Sequence, residues 1–202
     1  KKKDTYKMGI DTLFNLRRQL MQTLVSFKED LCREDFNAIP FINADGYHSK
    51  TIAYSIWHIF RIEDIVAHTV ITEDEQVFFT GNYQVRINSP IITTGNELVK
   101  QQIADFSKQL NLEELYSYIF EVRESTEKIL ERFSYDELKW KIPDERKGYL
   151  KSLNVVNCDE KAIWLIDYWC SKDIRGLIQM PFSRHWIMHT EACLRIKNKM
   201  HS

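Results

Sequence analysis

Apolar residues recur at three- and four-residue steps along most of the chain, the spacing of one face of an α-helix. Ile10, Leu13, Phe14, Leu20, Leu24, Phe27 and Leu31 form one such stripe and predict a first helix over 10–31. After a loop through Pro40 and Asp45-Gly46, Ser49 is placed to cap a second helix to about residue 71, with Ile52, Ile56, Ile59, Val66 and Val70 as its stripe. Residues 73–95 read as a long connection with breakers at Gly81, Pro90 and Gly95 and an extended piece around Val77 to Val85. A short helix is expected from Asn96 to Leu110. Asn111 with Glu114 then matches a capping box for a third long helix carrying Leu115, Tyr118, Ile119, Val122, Ile129 and Phe133. Ser134 and Glu137 predict a short turn ended by Pro143, and a basic, loop-like stretch leads to Asp159. Ile163, Leu165, Ile166 and Trp169 mark a further helix to about Ser171, and the last helix, to about Lys199, starts at Pro181 with Ser183 as its cap. Four long helices with almost no strand signal predict an all-α four-helix bundle with long crossover loops and extra short helices.

Length and composition narrow this further. The 202 residues suit one domain over 1–202, and 44% hydrophobic content with only six Gly and four Pro excludes a disordered chain or a turn-rich sandwich. The 28 basic and 29 acidic residues cancel, so no field draws the chain to nucleic acid. No run approaches the ~18 apolar residues of a bilayer span. Asp4, Asp11 and Arg17 interrupt the start where a secretion signal is apolar, so no membrane association and a cytoplasmic location are expected. Cys32, Cys158, Cys170 and Cys193 form no C-x-x-C pair and read as reduced, buried structural thiols.

The histidines carry the candidate chemistry. At about 100° per residue the last helix sets Phe182, His185, His189, Cys193 and Ile196 on one stripe, with Arg184, Glu191 and Arg195 opposite. Imidazoles four apart on a buried stripe can share one ion at roughly 2.0–2.1 Å from each nitrogen. A shared ion also satisfies a nitrogen on each ring, although each could instead find an ordinary hydrogen-bond partner. His58, in Ile56-Trp57-His58-Ile59-Phe60, is the third candidate, because metal sites in bundles draw ligands from facing helices. His48 lies in a loop, His201 at the chain end, and His68 off the stripe toward solvent. Glu63 falls in the middle of the apolar face and demands a partner, either Arg17 or Arg18, or else a supporting or basic role beside the ion. Arg61 points the other way, to solvent. Trp57, Trp164, Trp169, Trp186 and Phe182 read as core, with lining of a pocket as the alternative.

Thr51-Ile52-Ala53-Tyr54-Ser55-Ile56-Trp57-His58-Ile59-Phe60-Arg61-Ile62-Glu63-Asp64 resembles the second-helix signature of the DinB-like (damage-inducible) four-helix-bundle metalloproteins. Asn111 to Leu138 resembles that family's third helix, and Met180-Pro181 through His185 to His189 its last. The resemblance runs over about residues 10 to 199 and rests on W-H-x-x-R-x-E-D together with R-H-x3-H. It implies a divalent ion, nickel or zinc, held by His58, His185 and His189. Two departures stand out: Ala192 occupies a position where many members have Gln, and the 73–110 segment is longer than a minimal family loop.

Three neutral nitrogens leave coordination positions open, the arrangement of a catalytic site. The resemblance implies a thiol-dependent S-transferase, its partners a small-molecule thiol and an electrophile. A metal-dependent hydrolase with Glu63 or a loop carboxylate as base is a second reading, and a non-catalytic metal-binding bundle a third. In that last case Cys193, one turn beyond His189, closes the site as a fourth ligand. Trp57 and Phe182 are pocket candidates beside Glu63 and Cys193. A broad apolar bundle surface also suits a homodimer.

Overall fold

The first apolar stripe winds into α1 (Lys2–Asp30), which begins well before Ile10. The computed structural model describes residues 2–202. A short α2 (Arg33–Asn37) follows, and α3 (Ile52–Asp64) starts where the Thr51 side chain accepts the Tyr54 N–H. Ser49 is not the cap: its hydroxyl donates to the Gly46 carbonyl three residues back. From Asp64 the helix widens into π turns over Ile65–Thr72 and stops at Glu73, whose φ is 60°.

Two short helices, α4 (Val77–Thr80) and α5 (Tyr83–Ile87), stand where an extended piece was expected. Apolar β-formers at 77–79 suggested a strand, but the buried Asp64 carboxylate accepts the Val77 and Phe78 N–H groups at 2.9 and 2.8 Å and starts a helix there. Next come α6 (Gln101–Gln109) and α7 (Leu112–Arg132). Positive φ at Gly95 and Lys100 delays α6 past Asn96, and Asn111 accepts the Glu113 and Glu114 N–H groups to start α7. After a 3₁₀ turn at Glu137–Lys139, the basic stretch forms a helix, α8 (Glu145–Ser152). Its buried positions are Arg146 and Leu150, so an arginine on the inner face hides the apolar period.

Asp159 caps α9 (Glu160–Cys170), and Asp173 caps α10 (Ile174–Gln179). α10 passes through one wide π turn, Met180–Arg184, into α11 (His185–Met200). Pro181 therefore lies inside a running helix, and the Ser183 hydroxyl donates back to the Ile178 and Gln179 carbonyls rather than capping.

The chain is all-α, a four-helix bundle of α1, α3, α7 and α11 with long crossovers and short added helices, and the described residues include no strand. α1 lies against α7 and α11, and so does α3, which sets α1 and α3 at opposite corners. No helix of the described residues is long and apolar enough to cross a membrane. The interior divides into two apolar clusters, one around Trp57, Phe60 and Trp186, the other around Ile65, Leu165 and Phe182.

At the seam between the clusters, Arg17 of α1 donates to both Glu63 carboxylate oxygens, at 2.7 and 3.0 Å. It donates further to Glu127 of α7 and to the Phe182 carbonyl, and its guanidinium lies 4.3 Å over the Trp186 ring, while the Trp186 indole N–H donates to Glu63 at 2.7 Å. Of the partners expected for Glu63, Arg17 is the one; Arg18 stays outside with Asn15.

Every residue of α3 is buried, Arg61 included, and so is His68 in the π turns that continue it, although the helical angle assigned both to solvent. Arg61 donates to the Ile92 carbonyl and stacks over Phe78; His68 sits between Asp74 at 2.6 Å and the Ser125 hydroxyl at 3.0 Å. The 73–100 crossover covers the face that periodicity leaves open. Cys170 and Cys193 are buried thiols, whereas Cys32 and Cys158 are exposed in the connections ahead of α2 and α9.

Breaking a buried ion pair strands a charge, so Arg17→Met is expected to lower the unfolding free energy by about 3–5 kcal/mol. Arg17→Met with Glu63→Leu removes both charges and is expected to recover part of that loss in urea unfolding.

Candidate metal centre

α3 and α11 pack side by side, and this contact carries His58 to the pair one turn apart on α11. His58, His185 and His189 each offer a ring nitrogen within 4.8 Å of the others, a group that could hold a metal ion. The ring centroids stand 4.6–5.1 Å apart, and the three residues are only 3–6% exposed.

The wide turn at Met180–Arg184 leads directly into His185, so where α11 begins relative to α10 depends on it. π turns of this kind recur where a helix must offset its register to present a site.

His58 is held by an outer contact that the sequence did not reveal. Its Nδ1 lies 2.6 Å from the Thr94 carbonyl, an acceptor only, so Nδ1 carries the proton and Nε2 the free lone pair. Tyr54 stacks on the His58 ring at 5.2 Å and donates its hydroxyl to the Gly95 carbonyl. Gly95 is needed there: its φ is +76°, and a Cβ would stand 2.8 Å from the Trp57 ring. Tyr47, from the loop before α3, meets His189 edge-on at 4.8 Å. Thr94, Gly95 and Tyr47 come from loops, whose approach leaves no periodic signal in the chain.

The donor set fits a divalent ion. Nδ1 of His185 and Nδ1 of His189 are buried with no hydrogen-bond partner, a state costing about 1–3 kcal/mol per group unless something accepts their lone pairs or protons. Burial also disfavours the imidazolium form: His58 is pushed down to about 4, and His185 and His189 well below their ordinary value. All three rings are thus neutral ligands at neutral pH.

The other candidates are elsewhere. Glu63 is engaged by Arg17 and Trp186. Cys193 is fully buried, its thiol pushed up to about 12 by that burial, and it is not in the group of mutually close donor atoms. Trp57 packs on Phe106 in the core, and Phe182 is buried with its carbonyl bound to Arg17.

The three histidines instead border a cavity of about 220 Å³ together with Tyr47, Ile62, Trp164 and Trp169. Two of the tryptophans read as core in the sequence therefore face this space, and one of them, Trp164, is 49% exposed. Because the rings form part of the cavity wall, an ion they held would be approachable from that side.

No family model matches the chain, and no curated protein matches it. Among solved structures it is similar to a conserved protein from Enterococcus faecalis, with a TM-score of 0.62 over 96% of this chain and 95% of that one, at 10% identity. That likeness extends to the fold alone.

Two outcomes are expected. The protein takes up one divalent ion per chain by elemental analysis after dialysis; His58→Ala and His185→Ala abolish the uptake, and Cys193→Ala leaves it intact. For the chelator-treated protein, the unfolded histidines regain a pKa near 6.5 while the folded ones stay lower, so unfolding takes up protons as pH falls from about 6.5 toward 4. Stability is fully present above that window and lost within it: the urea midpoint drops from pH 7.5 to pH 5, and drops less when all three histidines are replaced by Gln.

Proposed function

We propose that the chain is a divalent-metal-dependent enzyme of the DinB-like kind that joins a small thiol to an electrophile, using nickel or zinc held by His58, His185 and His189. The observation that carries this reading is a buried cluster of three neutral imidazoles opening on a cavity. A bound ion would supply a Lewis-acid centre that lowers the pKa of an incoming thiol.

The chain's own residues do the remainder. Thr94 fixes the tautomer of His58 so that Nε2 keeps its lone pair free. Burial keeps His185 and His189 unprotonated. The apolar cavity wall excludes water from the thiol and its target. The thiol proton passes to solvent, sulfur forms the new bond to carbon, and the leaving group departs with the old bonding pair.

One feature favours thiol transfer over hydrolysis. A hydrolase needs a base near the ion, and Glu63, the carboxylate five residues beyond His58 on α3, is gripped by Arg17 and Trp186. No Asp or Glu borders the cavity among the described residues.

With nickel or zinc restored, the purified protein is expected to conjugate cysteine to a chromogenic aryl halide. Chelation or His185→Ala is expected to cut the rate at least 100-fold. Full activity after chelation would overturn the metal-dependent reading, and ester hydrolysis outpacing conjugation would replace transfer with hydrolysis.

A further inference from the structure

α9 supplies four of the residues that line the cavity, and their composition restricts what can enter. Trp164 and Tyr168 lie four residues apart, as do Leu165 and Trp169, so two adjacent i, i+4 rows of one helix turn four large side chains toward the cavity. Trp164 and Tyr168 meet edge-to-face at 5.6 Å, and the Trp164 indole N–H donates to the Lys161 carbonyl, which fixes the ring's setting. With 49% of its surface exposed, Trp164 is not there to fill a core.

The lining residues with polar side-chain groups are the three histidines, Asn96, Tyr47, Tyr168 and the two indoles, Trp164 and Trp169. No Asp, Glu, Lys or Arg borders the cavity among the described residues. A charged group brought in would leave water with no counter-ion on the cavity wall, since Lys50, the cation that acts on His58 and His189, lies outside the lining; a flat apolar ring incurs no such penalty. An apolar protein cavity of about 150 Å³ already accepts benzene. At about 220 Å³ this one has room for a single ring with a short substituent.

We infer that the cavity beside the three histidines is a binding site for a small, uncharged aromatic group, held between the α9 aromatics and Tyr47. The inference rests on the proposed function in taking this group to be the electrophile's ring, but the side chains that grip it, those of α9 and Tyr47, hold no ion.

Calorimetric titration of the chelator-treated protein with 4-nitrobenzyl alcohol and with 4-nitrobenzoate, two probes of nearly equal shape, tests it. The alcohol is expected to bind at least tenfold more tightly than the carboxylate. Trp164→Ala, a change at a half-exposed position, is expected to weaken the alcohol about tenfold while leaving zinc uptake by the reloaded protein unchanged. Equal or tighter binding of 4-nitrobenzoate overturns the inference, as does undiminished alcohol binding by Trp164→Ala. Zinc analysis of the same proteins, reloaded with zinc and dialysed without chelator, separates the two readings. Alcohol binding by a protein that retains no zinc supports the site and defeats the metal enzyme. Zinc retention with neither probe bound does the reverse.

Discussion

The Arg17–Glu63 pair is the interaction on which the arrangement of this bundle depends. Two opposite corners, α1 and α3, meet through it, and the same guanidinium reaches Glu127 on α7 and the Phe182 carbonyl at the head of α11. Trp186 completes the group from α11 by donating to Glu63 while lying against Arg17. All four long helices therefore share one set of directional bonds between two otherwise non-directional apolar clusters. Apolar packing alone tolerates sliding of one helix along another, whereas a bidentate carboxylate–guanidinium contact does not. Burial penalises the charge on Arg17, yet its two carboxylates outweigh that penalty and hold its pKa above the ordinary value.

That constraint bears directly on the histidines. Glu63 stands five residues beyond His58 on α3, and Trp186 adjoins His185 on α11. The clasp therefore sets the registry of the two helices whose imidazoles converge. A slip of one residue would turn each ring by about 100° and scatter the group. The contacts that hold His58 and its neighbour Tyr54 run to the Thr94 and Gly95 carbonyls, so the Arg17–Glu63 charges that order the bundle are kept apart from the site they position.

The crossover from 73 to 110 illustrates why angles on an isolated helix mislead. Arg61 and His68 lie off the apolar stripe, and a two-layer view sends them to water. The crossover instead folds over that face, giving Arg61 the Ile92 carbonyl and His68 the Asp74 carboxylate. The same segment delivers Thr94 to His58. Its first short helix, α4, starts on a cap supplied by Asp64 of α3 rather than by a neighbouring residue.

The amino-acid sequence by itself determined the helical class, the four long stripes, the partner of Glu63 to within two neighbouring arginines, and the three histidines as one candidate group. Each of these follows from local periodicity or from the cost of burying a polar group on an apolar face, and both act within a few turns of helix. Tertiary structure alone decided that α10 and α11 run on through a wide turn, that Cys193 stays apart from the histidines, and that Trp164 and Trp169 face a cavity rather than core. Those outcomes depend on how elements far apart in the chain approach one another. Such approach is set by packing and by hydrogen bonds across the bundle, and spacing along the chain holds no record of it.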